Sequence, residues 1–411
     1  MPPPRLSTTI ALIAIAGCVI YFMIGFSVNR NSDVSLRRAV AEVKNGEPER
    51  ARNALKWLLW YQPDNSTALY VTGLSFLKQK NIPAAITFLE RVAVNSTVYA
   101  DASINLAAGL MADRQWERAR NVLQKFLSHR QGSLTARRML SGMLLTELRR
   151  REAIQVLTDC LRLPSYDRFS LSDRLTLLLD LLIAEYSPPQ ATTCQSTLEE
   201  INQIRPGQPT VRLALGQCYW ATNRIDDAEV LLQEAIREQP LDLRTRLICC
   251  GFFLDQSDAD AAEKALRADT EQLVSVKQRV VEPPETDDRF RERQCRIAEL
   301  RGDYETALQQ IEDALRIQPH NREYEARRAR LLQRLQRADE AREAYKRSHS
   351  LGKSELELWH LSQSLGGQLP TTTDCRRVAE LYELLGKTLQ AAAWRHLAEQ
   401  TERHSTQQPA A

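Results

Sequence analysis

The chain has 411 residues, of which 43% are hydrophobic, and it carries 55 lysines and arginines against 52 aspartates and glutamates. The formal net charge of +3 is close to neutral for this length, so the concentrated basic excess that is typical of nucleic-acid-binding proteins is not found. With only 15 glycines, the sequence also excludes long glycine-rich linkers. We therefore expect no nucleic-acid partner.

An uncharged, apolar stretch runs from Leu6 to Val28 near the N-terminus. As a helix it would be about 34 Å long, which is enough to cross the hydrocarbon core of a bilayer. We interpret residues 1–30 as an N-terminal membrane anchor, with a single transmembrane helix over residues 6–28. The chain is then a single-pass membrane protein.

Two other interpretations of this stretch stay open. A cleaved signal peptide normally has a shorter apolar region. The run Ile15–Cys18 is similar to a bacterial lipoprotein cleavage box, with Cys18 as the lipidated residue. Apolar residues continue from Val19 to Phe26, where a mature chain should turn polar, and this favours an anchor that is not cleaved.

Basic residues flank the apolar stretch unequally. Arg5 precedes it, whereas Arg30, Arg37, Arg38 and Lys44 follow it. Because lysine and arginine are enriched on the cytoplasmic side, this bias favours a cytoplasmic location for the rest of the chain. The bias is modest, so the extracytoplasmic side stays open.

Beyond the N-terminus the chain reads as repeats of a two-helix unit, which is clearest from Pro209 to Asp242. Two runs with helical apolar spacing are separated by a short polar break at Asn223 and Arg224, and Pro240 ends the second run. This pattern predicts a helix-turn-helix hairpin. Gly216 and Ala228, one in each helix, would let the two backbones approach closely.

Counterparts of Ala228 recur along the chain, mostly at intervals of 34 residues. They are Ala51, Ala85, Ala119, Ala153, Cys194, Ala228, Ala262, Ala307, Ala341 and Ala391. The residue twelve positions earlier is small in every unit except the fifth, which has Leu182 and also carries Pro188 and Pro189 before its second helix. We expect the fifth unit to bend the array.

A 34-residue helix-turn-helix unit with small residues at these two positions resembles the tetratricopeptide repeat (TPR). The resemblance covers roughly residues 32–403 and implies an all-α solenoid of about ten units behind the transmembrane helix. The resulting division is 1–30 anchor, 31–167 units one to four, 168–276 units five to seven, 277–353 units eight and nine with a preceding insertion, 354–403 a short helical insertion and a capping unit, and 404–411 a disordered tail.

Residue patterns typical of catalysis are missing, including the P-loop, G-x-S-x-G and H-E-x-x-H. Asp258 and Asp260 form a D-x-D pair, which we interpret as a helix cap rather than a metal site. Cys194, Cys250 and Cys295 occupy the small-residue positions and should be buried. We expect no enzyme activity, no cofactor, no metal and no small-molecule substrate.

Arginines on the first helices of the eighth and ninth units form the candidate binding site. They are Arg289, Arg293, Arg296, Arg327, Arg330 and Arg334. Guanidinium groups on adjacent helices could bind carboxylates or phosphates. Glu292 and Glu299 lie among them, so a neutralised, solvated surface is the competing interpretation. A second, apolar set is Tyr70, Leu74, Ile104 and Trp220, for which core packing is the simpler role.

These observations favour a membrane-tethered scaffold or adaptor that binds a protein or peptide on its concave surface, as anchored TPR proteins often do in assembly or quality control of envelope or membrane complexes. Two alternatives remain. The chain could recruit substrates for a protein-modifying enzyme or transferase, or it could be a lipoprotein scaffold attached through Cys18.

Overall fold

A computed structural model describes residues 32–267, 286–365 and 369–407. Within these ranges the chain is entirely helical, apart from turns and a short 3₁₀ helix at Tyr166–Arg168. The predicted anchor and most of the insertion before the eighth unit lie outside the described residues. None of the described helices is both long and apolar enough to span a bilayer.

The α-helices are numbered in chain order. They are α1 (32–44), α2 (Pro48–Tyr61), α3 (Ser66–Lys78), α4 (Ile82–Leu89), α5 (Tyr99–Ala112), α6 (Trp116–His129), α7 (Leu134–Thr146), α8 (Arg150–Leu161), α9 (Leu171–Tyr186), α10 (Ala191–Ile204), α11 (Pro209–Ala221), α12 (Ile225–Glu238), α13 (Leu243–Asp255), α14 (Ala259–Leu266), α15 (Asp288–Leu300), α16 (Tyr304–Ile317), α17 (Arg322–Arg334), α18 (Ala338–Leu365), α19 (Thr372–Leu384) and α20 (Thr388–Gln407).

Two compact units divide the chain, one ending at Gln131 and the other beginning at Gly132. In each unit consecutive helices pair as the repeat pattern predicts, for example α3 with α4 and α11 with α12. All ten residues of the Ala228 column are buried, as are all ten of the small-residue column. The solenoid of helical hairpins is therefore confirmed.

The two helices of a hairpin pack so closely that two units have glycine in the small-residue column. A Cβ atom on Gly216 would lie 2.8 Å from Cδ2 of Leu232, and one on Gly73 would lie 2.7 Å from Cδ2 of Leu89. Both leucines come from the position four residues after the column alanine. The two helices of these hairpins meet at a distance that leaves no room for a larger side chain.

A third column appears in the backbone, five residues before each column alanine. The residues there have a left-handed φ between 55° and 80°, and they are Gly46, Lys80, Arg114, Leu148, Asn223, Ser257, Gly302, Gln336 and Gly386. Each stands at the tight turn between the paired helices. In the fifth unit this position is Pro189, whose ring fixes φ near −65° and so forbids the same turn.

Helix α9, the first helix of this fifth unit, packs on α7 and α8. It also packs on α18 and α20, which come much later in the chain. Leu182 is fully buried in one core with Leu178, Leu358, Val378 and Trp394. Glu185 extends this contact, because its carboxylate forms an ion pair with Nζ of Lys387 at 3.1 Å and accepts a hydrogen bond from Nε2 of Gln390 at 3.2 Å. The early and late helices of the second unit thus share a hydrophobic core, which we call the closing core.

Two local predictions differ from the structure. A separate short helix was expected after residue 354, but α18 continues from Ala338 to Leu365 without a break. Its second half buries Leu358 and Leu365 in the closing core, which stabilises the extension. At the C-terminus α20 continues to Gln407, into the segment 404–411 that was expected to be disordered.

Candidate functional sites

Helices α15 and α17 are the first helices of neighbouring hairpins and carry the six candidate arginines. At the start of α15, the Asp287 side chain accepts from the backbone N–H of Arg289 at 2.9 Å and from its guanidinium at 2.6 Å. Burial opposes the charge of Asp287, but hydrogen bonds from Arg289 and the positive charge of the nearby Arg151 together hold the pKa of Asp287 below its usual value. Asp287 therefore caps α15, and the Arg289 side chain is held by this capping carboxylate.

Arg293 and Arg296 connect α15 to α13 of the preceding repeat. Nε of Arg293 donates to the carbonyl oxygen of Leu247 at 3.2 Å, and its guanidinium lies against Gly251. Nη2 of Arg296 donates to Oδ1 of Asp255 at 2.6 Å. These two arginines are part of the packing between repeats.

Arg327 forms ion pairs with both glutamates that the sequence placed among the arginines. It bonds to Glu299 and lies 3.7 Å from a carboxylate oxygen of Glu292, which also pairs with Arg293. Attraction by these carboxylates outweighs burial and raises the pKa of Arg327, so its charge is fixed. Glu292 and Glu299 thus neutralise the inner part of the patch.

Arg330 and Arg334, the last two arginines of the patch, are both exposed to solvent. Nη1 of Arg334 donates to the Tyr304 hydroxyl at 2.8 Å, and its guanidinium lies 5.0 Å from the Tyr304 ring centroid. Within the described residues, no hydrogen bond or ion pair holds the Arg330 side chain. Of the six, these two have guanidinium groups available to a ligand.

Of the D-x-D pair, Asp258 has the capping role that the sequence predicts. Oδ1 of Asp258 accepts from the backbone N–H of Ala261 at 2.9 Å at the start of α14. Asp260 pairs with Arg301 at 2.7 Å, which connects α14 to the turn after α15. Neither carboxylate belongs to a cluster of potential metal ligands, and the described ranges contain no such cluster.

Seven cysteines fall within the described residues, and all are buried and free. The predicted burial of Cys194, Cys250 and Cys295 is confirmed. Burial raises the pKa of Cys218, Cys249 and Cys250 to about 12, because a thiolate is disfavoured in apolar surroundings. These thiols pack as small apolar groups rather than as nucleophiles.

The second, apolar candidate set is mainly packed. Tyr70 and Leu74 contact the core formed by α1, α2 and α3. Trp220 is half-buried, with its ring centroid 5.8 Å from that of Phe252 in an edge-on arrangement. These side chains hold repeats together, in line with the simpler interpretation of the sequence.

An exposed aromatic surface on the first unit was not singled out from the sequence. Trp57 and Trp60 on α2 are 59% and 56% exposed, and their ring centroids are 6.1 Å apart. They border a groove of about 430 Å³ between α2, α3 and α4. Its floor includes Phe76 and Phe88, which are stacked with centroids 5.5 Å apart.

A signal for this surface exists in the α2 sequence. Leu55 and Leu58 mark the buried face of the helix, so Trp57 and Trp60 fall outside the apolar stripe. Arg52 closes one side of the groove, with its guanidinium 4.4 Å from the Phe76 ring centroid. Two indoles outside the stripe indicate a surface that is used for contact.

Comparison with known proteins supports the repeat assignment. Residues 36–100 and 182–247 match models of the tetratricopeptide repeat. These two segments are therefore tetratricopeptide repeats, within an all-α solenoid. Its sequence matches none of the curated proteins.

Solved structures of MamA are similar to part of the chain. "MamA MSR-1 C2" is 18% identical over 44% of this chain and 97% of that chain, with a TM-score of 0.31. "MamA 41-end from Desulfovibrio magneticus RS-1" is 12% identical over 45% of this chain and 98% of that chain, with a TM-score of 0.32. Similarity at this level carries no inference about partners.

Proposed function

We propose that the chain is a non-catalytic, membrane-tethered scaffold. Arginines of its repeats would bind acidic side chains of a protein partner. Stacked repeats present extended surfaces that are suited to protein recognition. The observation that carries the proposal is the exposure of Arg330 and Arg334 beside four arginines that are held by their own chain.

The six arginines would have two different roles, holding the helices in place and binding the partner. Arg293, Arg296 and Arg327 fix α15 and α17 against their neighbours, so the exposed guanidiniums are presented from a rigid surface. Arg330 has all its donors available to a carboxylate, and Arg334 is oriented by Tyr304. Guanidinium groups bind carboxylates through paired hydrogen bonds, which favours a partner with an acidic segment.

The tether rests on residues 6–28, which are long and apolar enough to cross a bilayer. The distribution of lysine and arginine favours a cytoplasmic location for the repeats. Attachment to a membrane would concentrate the scaffold, and whatever it binds, at one surface.

The test is a cross-linked pull-down of the full-length chain from membranes of the cells that produce it. Arg330→Glu places a carboxylate in the proposed site, and a specific partner should then be lost. Arg316→Glu is the matched control, because Arg316 is exposed on α16, where it pairs only locally with Asp313. Loss of the partner with both variants, or with neither, would contradict the assignment to Arg330.

A further inference from the structure

The indoles of Trp57 and Trp60 expose more than half of their surface, although each would gain about 2 to 3 kcal/mol from burial. Two neighbouring exposed indoles indicate that a second surface covers them. Tryptophan is enriched where one side of the ring is apolar and the other meets water, as at the boundary between lipid and solvent.

The first hairpin determines where these indoles lie along the molecule. Helices α1 and α2 run in opposite directions, joined by a short turn at Gly46, and pack through Ala39, Val43, Leu55 and Leu58. Both helices have nearly the same length, about 20 Å. Trp60, near the end of α2, is therefore level with the beginning of α1 at residue 32.

The chain leading into α1 ties this end of the hairpin to the apolar stretch. Four peptide units connect Val28 to Ser32, so their Cα atoms lie at most about 14 Å apart. If residues 6–28 cross the bilayer, the end of the hairpin that carries Trp57 and Trp60 is at the membrane surface.

We propose that Trp57 and Trp60 insert into the headgroup region of the bilayer beside the anchor, so that phospholipid covers this face of the first unit. Lys56 is exposed one turn before Trp60 on the same side of α2, where its ammonium group can reach lipid phosphates. The inference rests on the proposed tether. It adds a second contact, which fixes how the first repeat stands on the membrane.

Full-length protein in phosphatidylcholine vesicles provides the test, with a nitroxide-labelled lipid as the quencher of tryptophan fluorescence. We expect the native chain to be quenched and Trp57→Phe/Trp60→Phe to lose about half of that quenching or more. Trp359→Phe is the control, because Trp359 is also exposed but belongs to the second unit. This variant should be quenched like the native chain.

Flotation of the same vesicles separates the two proposals. If the native chain floats and quenching is unchanged in the double variant, the headgroup contact is wrong while the tether stands. If the native chain does not float, the tether is wrong and the inference falls with it. If the indoles are shielded from aqueous acrylamide only when the cross-linked partner is added, the face is a protein interface and the lipid contact is overturned.

Discussion

At the scale of single residues, the spacing between paired helices depends on the small-residue column. Its members are no larger than serine or cysteine in nine of the ten units. At Gly216 even a methyl group would approach Leu232 to within 2.8 Å, and Leu232 is itself buried. A bulkier residue must push α11 away from α12.

Gly216→Val should lower the free energy of unfolding by about 2 kcal/mol through overpacking. Gly142→Val is the matched control, because Gly142 is exposed on α7 and a Cβ atom there would meet nothing within 4 Å. The control should change stability by less than about 0.5 kcal/mol. Urea unfolding followed by circular dichroism measures both, and equal losses would show that close packing at Gly216 is not the cause.

At the scale of elements, the left-handed turn residue sets each hairpin. Glycine fills the position in only three of the nine units that have it, so the other units hold a side chain in a backbone conformation that costs about 1 to 2 kcal/mol. That cost is specific to the turn and does not depend on side-chain contacts.

Opposite substitutions at two of these turns should therefore have opposite effects. Lys80→Gly should raise the free energy of unfolding by about 1 kcal/mol, and Gly302→Ala should lower it by a similar amount. Gly302 has no atom near the site of a new Cβ, so only its backbone conformation is tested. Melting temperatures that shift in the same direction for both variants would contradict this account.

Most hairpins could be predicted from the sequence, because the features that define them repeat within 34 residues. Ala228, Gly216 and the turn at Asn223 recur in phase, so each unit supports the interpretation of the next. Leu182 and Pro189 mark the fifth unit as irregular in the sequence. They do not explain why a leucine stands at the small-residue position. Leu182 packs against residues almost two hundred positions later, and a repeat pattern contains no information about such a distant contact.

The arginine patch was predictable in the same limited way. Helical spacing placed the six arginines on two neighbouring first helices and identified Glu292 and Glu299 as competing partners. It could not show that Asp255 and the Leu247 carbonyl engage Arg296 and Arg293, because those groups belong to the preceding repeat. Helical spacing also did not identify the exposed indoles, because Trp57 and Trp60 lie outside the positions that have the same residue type in every repeat.

At the scale of the whole molecule, the closing core makes the late helices of the second unit depend on the early ones. Leu358→Ala should destabilise this unit by about 3 kcal/mol, because the leucine is 0% exposed and its loss leaves a cavity between α9, α18 and α19. Leu356→Ala on the same helix should cost less than about 0.5 kcal/mol, since Leu356 is 56% exposed. Similar melting temperatures for the two variants would contradict the closing core.

The closing core should also keep the second unit together after its backbone is cut. The exposed turn around Gly207 lies between α10 and α11, and a protease site placed there would cut the chain into two polypeptides. In a linear array such pieces would meet only at the cut. Here α8 and α9 on one piece are also buried against α18, α19 and α20 on the other, so the halves should elute together in size-exclusion chromatography and reassemble when mixed. The second unit would then behave as a split protein whose two halves recognise each other.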